Sequence, residues 1–352
     1  MKKTDISSLV RENILNLKPY RSARDDFDSG ILLDANENSF GAPFADDLEL
    51  NRYPMPYQEE LRDKIAAFRG VEKGNVFVGV GSDEAIDLIL RIFCRPEKDR
   101  IIINPPTYGM YKVSANINDI TVDEVLLTES FQLQPEKILK TVKPETKVIF
   151  ICSPNNPTAN SMDINDIVKV LEGFDGIVVV DEAYIDFSRQ GSLTSNIRDF
   201  KNLVVLQTMS KSFGLAGIRL GIALADPLVI SYMMKVKAPY NVNKLTSTKA
   251  TKAFMSLDHI TKNIQAILEE RERVVAKLVT FSQVERVYPT DANFVMFKLS
   301  DAQSIYKKLA EEGVIIRYRG NEPHCENCLR LTIGTSTEND RFFSALTSVL
   351  EN

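Results

Sequence analysis

Residues 147–184 read KVIFICSPNNPTANSMDINDIVKVLEGFDGIVVVDEAY. Two apolar runs, KVIFIC at 147–152 and GIVVVD at 176–181, flank DINDIVKVLEGF at 163–174, whose apolar residues recur at helical spacing behind a polar start. Neither run alternates apolar with polar, so each is expected to be a strand covered on both faces, as in a parallel sheet. The same alternation holds from about residue 57 to 240. Further strands are expected at VFVGV (76–80), RIIIN (100–104), LVVLQ (203–207) and IRLGIAL (218–224), with helices at 57–70, 82–93 and 134–142 between them. The fold class is therefore α/β, a mostly parallel central sheet in a large domain.

After about residue 245 the texture changes. A charged segment at 247–279 reads as one or two long helices, followed by ANFVMFKL (292–299), a helix at 301–312, VIIRYR (314–319), CLRLTIG (328–334) and a last helix from about 337. That pattern predicts a smaller α+β domain. Residues 1–45 have little periodicity and are expected to form an N-terminal arm and part of the small domain, leaving 46–245 as the large domain and 246–352 as the small one.

At 352 residues, with 43 basic against 48 acidic side chains and no block of like charge, the chain does not read as a nucleic-acid or membrane-surface binder. The start, MKKTDISSLV, lacks the apolar core of a signal peptide, and no run approaches 18 apolar residues, so a cytoplasmic protein acting on small molecules is expected. Four cysteines are too few for a disulfide scaffold. HCENC (324–328) has the spacing that begins a zinc site, but His259 is the only other histidine and no second cysteine pair exists. His324, Cys325 and Cys328 are therefore expected to lie in a surface loop, with no metal.

In an open parallel sheet ligands bind beyond the carboxyl ends of the strands. Those ends carry Gly81-Ser82-Asp83, the loop 153–157 with Asn156, Asp181 followed by Tyr184, and Thr208-Met209-Ser210-Lys211. GVGSDE lacks the third glycine of a dinucleotide fingerprint, and no Gly-Lys-Ser/Thr of a P-loop occurs. What remains is a helix start suited to a single phosphate, or an ordinary capped helix. Lys211 has Arg219 eight residues on; a desolvated lysine beside another cation loses its proton near neutral pH and attacks carbonyls. A carboxylate at the end of an apolar strand, as at Asp181, needs a partner; a protonated pyridine nitrogen is one, Lys211 another.

In this order and spacing, SPNNPTA, VVDEAYIDF and TMSKSFGLAGIRLG (208–221) resemble the fold-type I enzymes that use pyridoxal 5′-phosphate (PLP). More narrowly, LKPYRSARD (17–25), LDANENSFG (33–41), NRYP (51–54), VGVGSDEAIDLILR, PPTYGMY (105–111) and CLRLTIGT (328–335) resemble the histidinol-phosphate aminotransferase family, over almost the whole chain. The resemblance implies Lys211 as the Schiff-base lysine and Asp181 as partner of the pyridine nitrogen. It implies Asn156 and Tyr184 on the ring's O3′, Tyr108 on the ring face, and Ser82, Asp83, Thr208, Ser210 and Arg219 on the cofactor phosphate. Tyr53 would reach the partner subunit's cofactor in a homodimer with shared active sites. Arg330, with Arg317, Tyr20 and Asn156, would bind the substrate anion, the phosphate of histidinol phosphate and the carboxylate of glutamate or 2-oxoglutarate in turn. The implied activity is transamination in histidine biosynthesis. Aromatic aminotransferases and threonine-phosphate decarboxylase share the cofactor set. One departure stands out: the family usually reads Asn-Pro-Thr-Gly, and position 159 is alanine.

Overall fold

The computed structural model describes residues 4–27, 30, 31, 33–44 and 47–351; the expected boundary at 45/46 lies outside them. Seven strands form the large sheet: β1 (Val76–Val80), β2 (Arg100–Ile103), β3 (Thr121–Glu124), β4 (Thr146–Cys152), β5 (Ile177–Asp181), β6 (Leu203–Thr208) and β7 (Leu220–Ala225). Their order is β1-β7-β6-β5-β4-β2-β3. β2 to β6 run parallel, β7 is antiparallel to both β6 and β1, and so β1 points the same way as the parallel set.

Both faces of the sheet are covered, which is why its strands are apolar throughout. Phe77, Ile101, Ile103, Val148, Phe150, Ile177 and Val179 pack with the helix Gly81–Phe93 on one face, whereas Val76, Val78, Ile149, Ile151, Val178 and Val180 pack with the helices Glu59–Arg69 and Ile164–Gly173 on the other. Helix starts follow local chemistry. The Asp163 carboxylate accepts the Asn165 N–H at 2.8 Å, the Asp226 carboxylate accepts the Leu228 N–H at 2.9 Å, and Pro135 and Pro227 occupy first helical positions.

The second sheet comprises β8 (Val284–Val287), β9 (Phe294–Leu299), β10 (Arg317–Tyr318) and β11 (Cys328–Thr332), in the antiparallel order β10-β11-β9-β8. Val295, Phe297, Leu299, Leu329 and Leu331 on one of its faces form a separate core with the helices Ala302–Glu311 and Ser336–Glu351.

Two expectations change, and one strand carries no sequence signal. Residues 6–14 join the large core: Ile6, Val10 and Ile14, four apart, bury one face, the Arg11 N–H donates to the Ile92 carbonyl at 3.0 Å, and Lys235 Nζ donates to the Ile14 carbonyl at 2.8 Å. β3 is an edge strand whose polar residues are held by ion pairs, Arg100–Asp123 at 2.6 Å and Lys112–Glu124 at 2.7 Å, so it carries no apolar signal. Cys325 and Cys328 are buried, near Met296 and Tyr288, not in a surface loop. Among the described residues no group of His, Cys, Asp or Glu is arranged to hold a metal ion, and no helix is long and apolar enough to cross a membrane.

Candidate active site

The carboxyl ends of β1, β4, β5 and β6 open onto one cavity of about 570 Å³. It is lined by Ser82, Asp83, Tyr108, Asn156, Asp181, Tyr184, Thr208, Ser210, Lys211, Arg219, Arg317 and Arg330. Arg219 reaches the same rim because β7 runs backwards: its amino end, not its carboxyl end, lies there. Arg219 has φ +53°, and its carbonyl accepts the Gly81 N–H at 3.0 Å, which ties the start of β7 to the start of the helix Gly81–Phe93.

The approach of these two segments requires glycine. A Cβ at Gly221 would lie 2.1 Å from the Gly81 carbonyl carbon and 2.2 Å from the Ser82 nitrogen. No side chain caps that helix, so beyond the Gly81 N–H its first amides, those of Ser82 and Asp83, lack an intrahelical acceptor at the rim of the cavity. Arg219 Nη2 stands 3.5 Å from the Asp83 carboxylate, and the Tyr108 hydroxyl donates to the other Asp83 oxygen at 3.2 Å. Thr208 Oγ1 donates to Ser210 Oγ at 2.9 Å or to the Leu220 carbonyl at 3.0 Å, and accepts the Ser210 N–H at 3.1 Å.

Asp181 closes the floor of the cavity. It accepts the Tyr111 hydroxyl at 2.7 Å and the Ala183 N–H at 3.0 Å, yet burial pushes its pKa up against both hydrogen bonds. Among the described residues no ion pair within 4.0 Å joins it to Lys211, so the internal Lys–Asp pair is not formed. Lys211 Nζ sits 5.5 Å from the centroid of the Tyr184 ring; burial, then Arg330 and Arg219, lower its pKa. Burial raises the pKa of Tyr184.

At the opposite end Arg330 Nη1 donates to Asn156 Oδ1, and its guanidinium lies 5.1 Å from the Phe294 ring. Burial, then Arg319, lower the Arg330 pKa to about 10. Two anticipated residues are elsewhere. Tyr20 is 64% exposed and lines a separate recess with Lys235 and Tyr240, and Tyr53 is 49% exposed and stacks on Tyr240 at 4.7 Å. Two others come into view only here, Tyr111 on Asp181 and Arg319 in the cavity wall. Tyr111 is fully buried and stacked on Phe150 at 4.8 Å, a position that its motif alone does not reveal. Arg319 had a signal, the alternation Arg-Tyr-Arg at 317–319.

The lining carries two more cations than acids although the chain as a whole is acidic. Such a cavity suits anions, and its chemistry is split: a buried carboxylate, a lysine of lowered pKa and a helix start on one side, arginines on the other. Residues 28–346 match the model of aminotransferase class I and II, and the chain belongs to that family. Within it, the chain is 51% identical to the histidinol-phosphate aminotransferase of Flavobacterium johnsoniae, over 95% of this chain and 96% of that one. It is 46% identical to that of Parabacteroides distasonis, over 97% and 98%. The histidinol-phosphate aminotransferase of Sinorhizobium meliloti, solved in complex with pyridoxal-5′-phosphate, shares the fold at a TM-score of 0.80 and 22% identity, covering 90% of this chain and 89% of that one.

Proposed function

We propose that the chain transfers an amino group between histidinol phosphate and 2-oxoglutarate, giving imidazole-acetol phosphate and glutamate, and that it runs in the reverse direction in histidine biosynthesis. Near-full-length relatives of that name support the substrate. The observation that carries the reading is the single cavity in which Lys211 and Asp181 stand between two anion-binding ends.

PLP fits the first end. Asp181 is a carboxylate whose pKa burial raises, and a pyridinium N–H would favour its ionised form. The amides of Ser82 and Asp83, the hydroxyls of Thr208 and Ser210 and the Arg219 guanidinium hold the phosphate, at a helix start whose backbone a Cβ at 221 would strike. Asn156 and Tyr184 hold O3′, and Tyr108 covers the ring face. When bound, PLP supplies a carbonyl conjugated to an electron-withdrawing ring, which acidifies the substrate Cα–H. Lys211 Nζ, whose charged form burial and two guanidiniums disfavour, would take that proton from Cα and pass it to C4′ of the cofactor in one half-reaction, and move a proton from C4′ to Cα in the other. Arg330, with Arg317 and Asn156, grips the phosphate of one substrate and the carboxylate of the other.

Tyr20 and Tyr53 act across a homodimer, each on the partner's site. An exposed apolar surface on the same segment, with Ile31, Leu33, Phe40, Phe44 and Met55, favours such an interface. The location is cytoplasmic. An absorbance titration of the PLP-loaded protein with histidinol phosphate tests the reading, conversion of the cofactor to its amine form being the expected result. Conversion by phenylalanine alone would make the protein an aromatic aminotransferase, and release of CO₂ without an oxo acid would make it a lyase.

A further inference from the structure

β10 and β11 pair with Arg317 opposite Arg330 and Tyr318 opposite Leu329, and the Arg319 N–H donates to the Cys328 carbonyl at 2.9 Å, continuing the ladder. With a period of two, Arg317, Arg319 and Arg330 share one face while Tyr318 and Leu329 pack into the small core on the other. All three arginines line the cavity. Among the described residues none of them has a carboxylate within 4.0 Å; Glu322 is the one acid lining that end. Arg330 has Asn156 and the Phe294 ring, but Arg319 Nε is buried with no hydrogen-bond partner. Burial, then Arg317, hold the Arg319 pKa below its ordinary value. Arg319 and Arg330, both partly buried, and the exposed Arg317 beside them repel one another unless an anion stands among them. A carboxylate has two oxygens and one charge, which one bidentate arginine serves; a phosphate monoester has three free oxygens and nearly two charges.

We propose that Arg319 is a specificity residue, a third cation that makes this end of the cavity prefer an amine bearing a phosphate monoester over one bearing only a carboxylate. The inference rests on the proposed function and deepens it. Arg319→Gln keeps the stem and removes the charge, and Arg319→Lys keeps the charge and removes the fork. Each is compared with wild type, as holoenzyme, in the half-reactions with histidinol phosphate and with glutamate, and in calorimetric binding of inorganic phosphate. Arg319→Gln is expected to lower kcat/KM for histidinol phosphate by about 10–100-fold, mostly through KM, and that for glutamate by less than about threefold. Arg319→Lys should fall between, and phosphate binding should weaken in parallel. Equal losses on both substrates, or no loss, would overturn the assignment; if Arg319→Gln does not fold, an Arg319→Lys enzyme unchanged on both substrates does the same. A wild type inert to histidinol phosphate, whose phosphate binding still depends on Arg319, would sink the substrate and keep the residue's role. A wild type active on histidinol phosphate, with phosphate binding indifferent to Arg319, would do the reverse.

Discussion

Lys211 lies near two guanidiniums, Arg330 and Arg219, and burial ahead of those charges holds its pKa down. With the folded pKa below the unfolded one, the protonated ammonium costs the apoprotein stability at every pH below the folded pKa. That cost is relieved as pH climbs from there toward the ordinary value of 10.5. Lys211→Met should therefore abolish turnover yet stabilise the apoprotein at pH 7. Denaturant unfolding across pH checks this, since the gain should shrink toward pH 10. Ala159 shows the opposite balance. Its φ is +70°, which costs an alanine roughly 1–2 kcal/mol. Its methyl is fully buried beside Tyr184 and Phe294, worth about 0.8 kcal/mol, and a glycine there would add about 0.4–1 kcal/mol of unfolded-chain entropy. Ala159→Gly is thus expected to shift stability by less than about 1 kcal/mol, and a change above about 2 kcal/mol would contradict that account. Residues at strand ends, such as Asp181 and Lys211, are legible in the sequence because an apolar run makes the next polar group conspicuous. Tyr111 is not, because only packing against Phe150 aims its hydroxyl at Asp181.

At the scale of elements, the apolar strands β1, β2 and β4 to β7 can be read because both faces are covered. The edge strand β3 and the apolar helix Pro227–Val236 cannot, one for want of apolar residues and the other for want of a polar face. The direction of β7 is likewise invisible to composition, and it decides which rim Arg219 joins. The contact between that strand and the first turn of the helix Gly81–Phe93 leaves no room for a methyl group. Gly221→Ala should cost about 1–3 kcal/mol by overpacking. Because the backbone it strikes belongs to Gly81 and Ser82, the variant should also release PLP faster than wild type. Unfolding curves and cofactor dissociation rates measure the two effects, and a stability loss with unaltered PLP retention would argue against a phosphate held at that helix start.

Across the whole molecule, Tyr184 and Phe187 after β5 share a small buried cluster with Ala292 and Phe294 at the start of β9. Arg271, on the helix Leu257–Leu278, is buried and donates from Nη1 to the Phe187 carbonyl at 3.2 Å and the Ala292 carbonyl at 3.0 Å, linking the segment after β5 to the segment before β9. Arg271→Met would leave both carbonyls without that donor and should destabilise the protein by about 1–3 kcal/mol. It should also raise KM for both substrates, since Phe294 beneath Arg330 lies two residues from Ala292. Steady-state kinetics beside thermal unfolding would show whether the two losses travel together. The pairing of Thr208 with Gly221 bears on how such a chain can vary in length. Lys211 and Arg219 both lie inside the segment that this pair closes, so its residue count sets the span from reactive amine to phosphate grip. One residue inserted or deleted there would change that span or break the ladder. Room for insertions lies instead at the opposite rim, where loops can lengthen without resetting the distance between two charged groups.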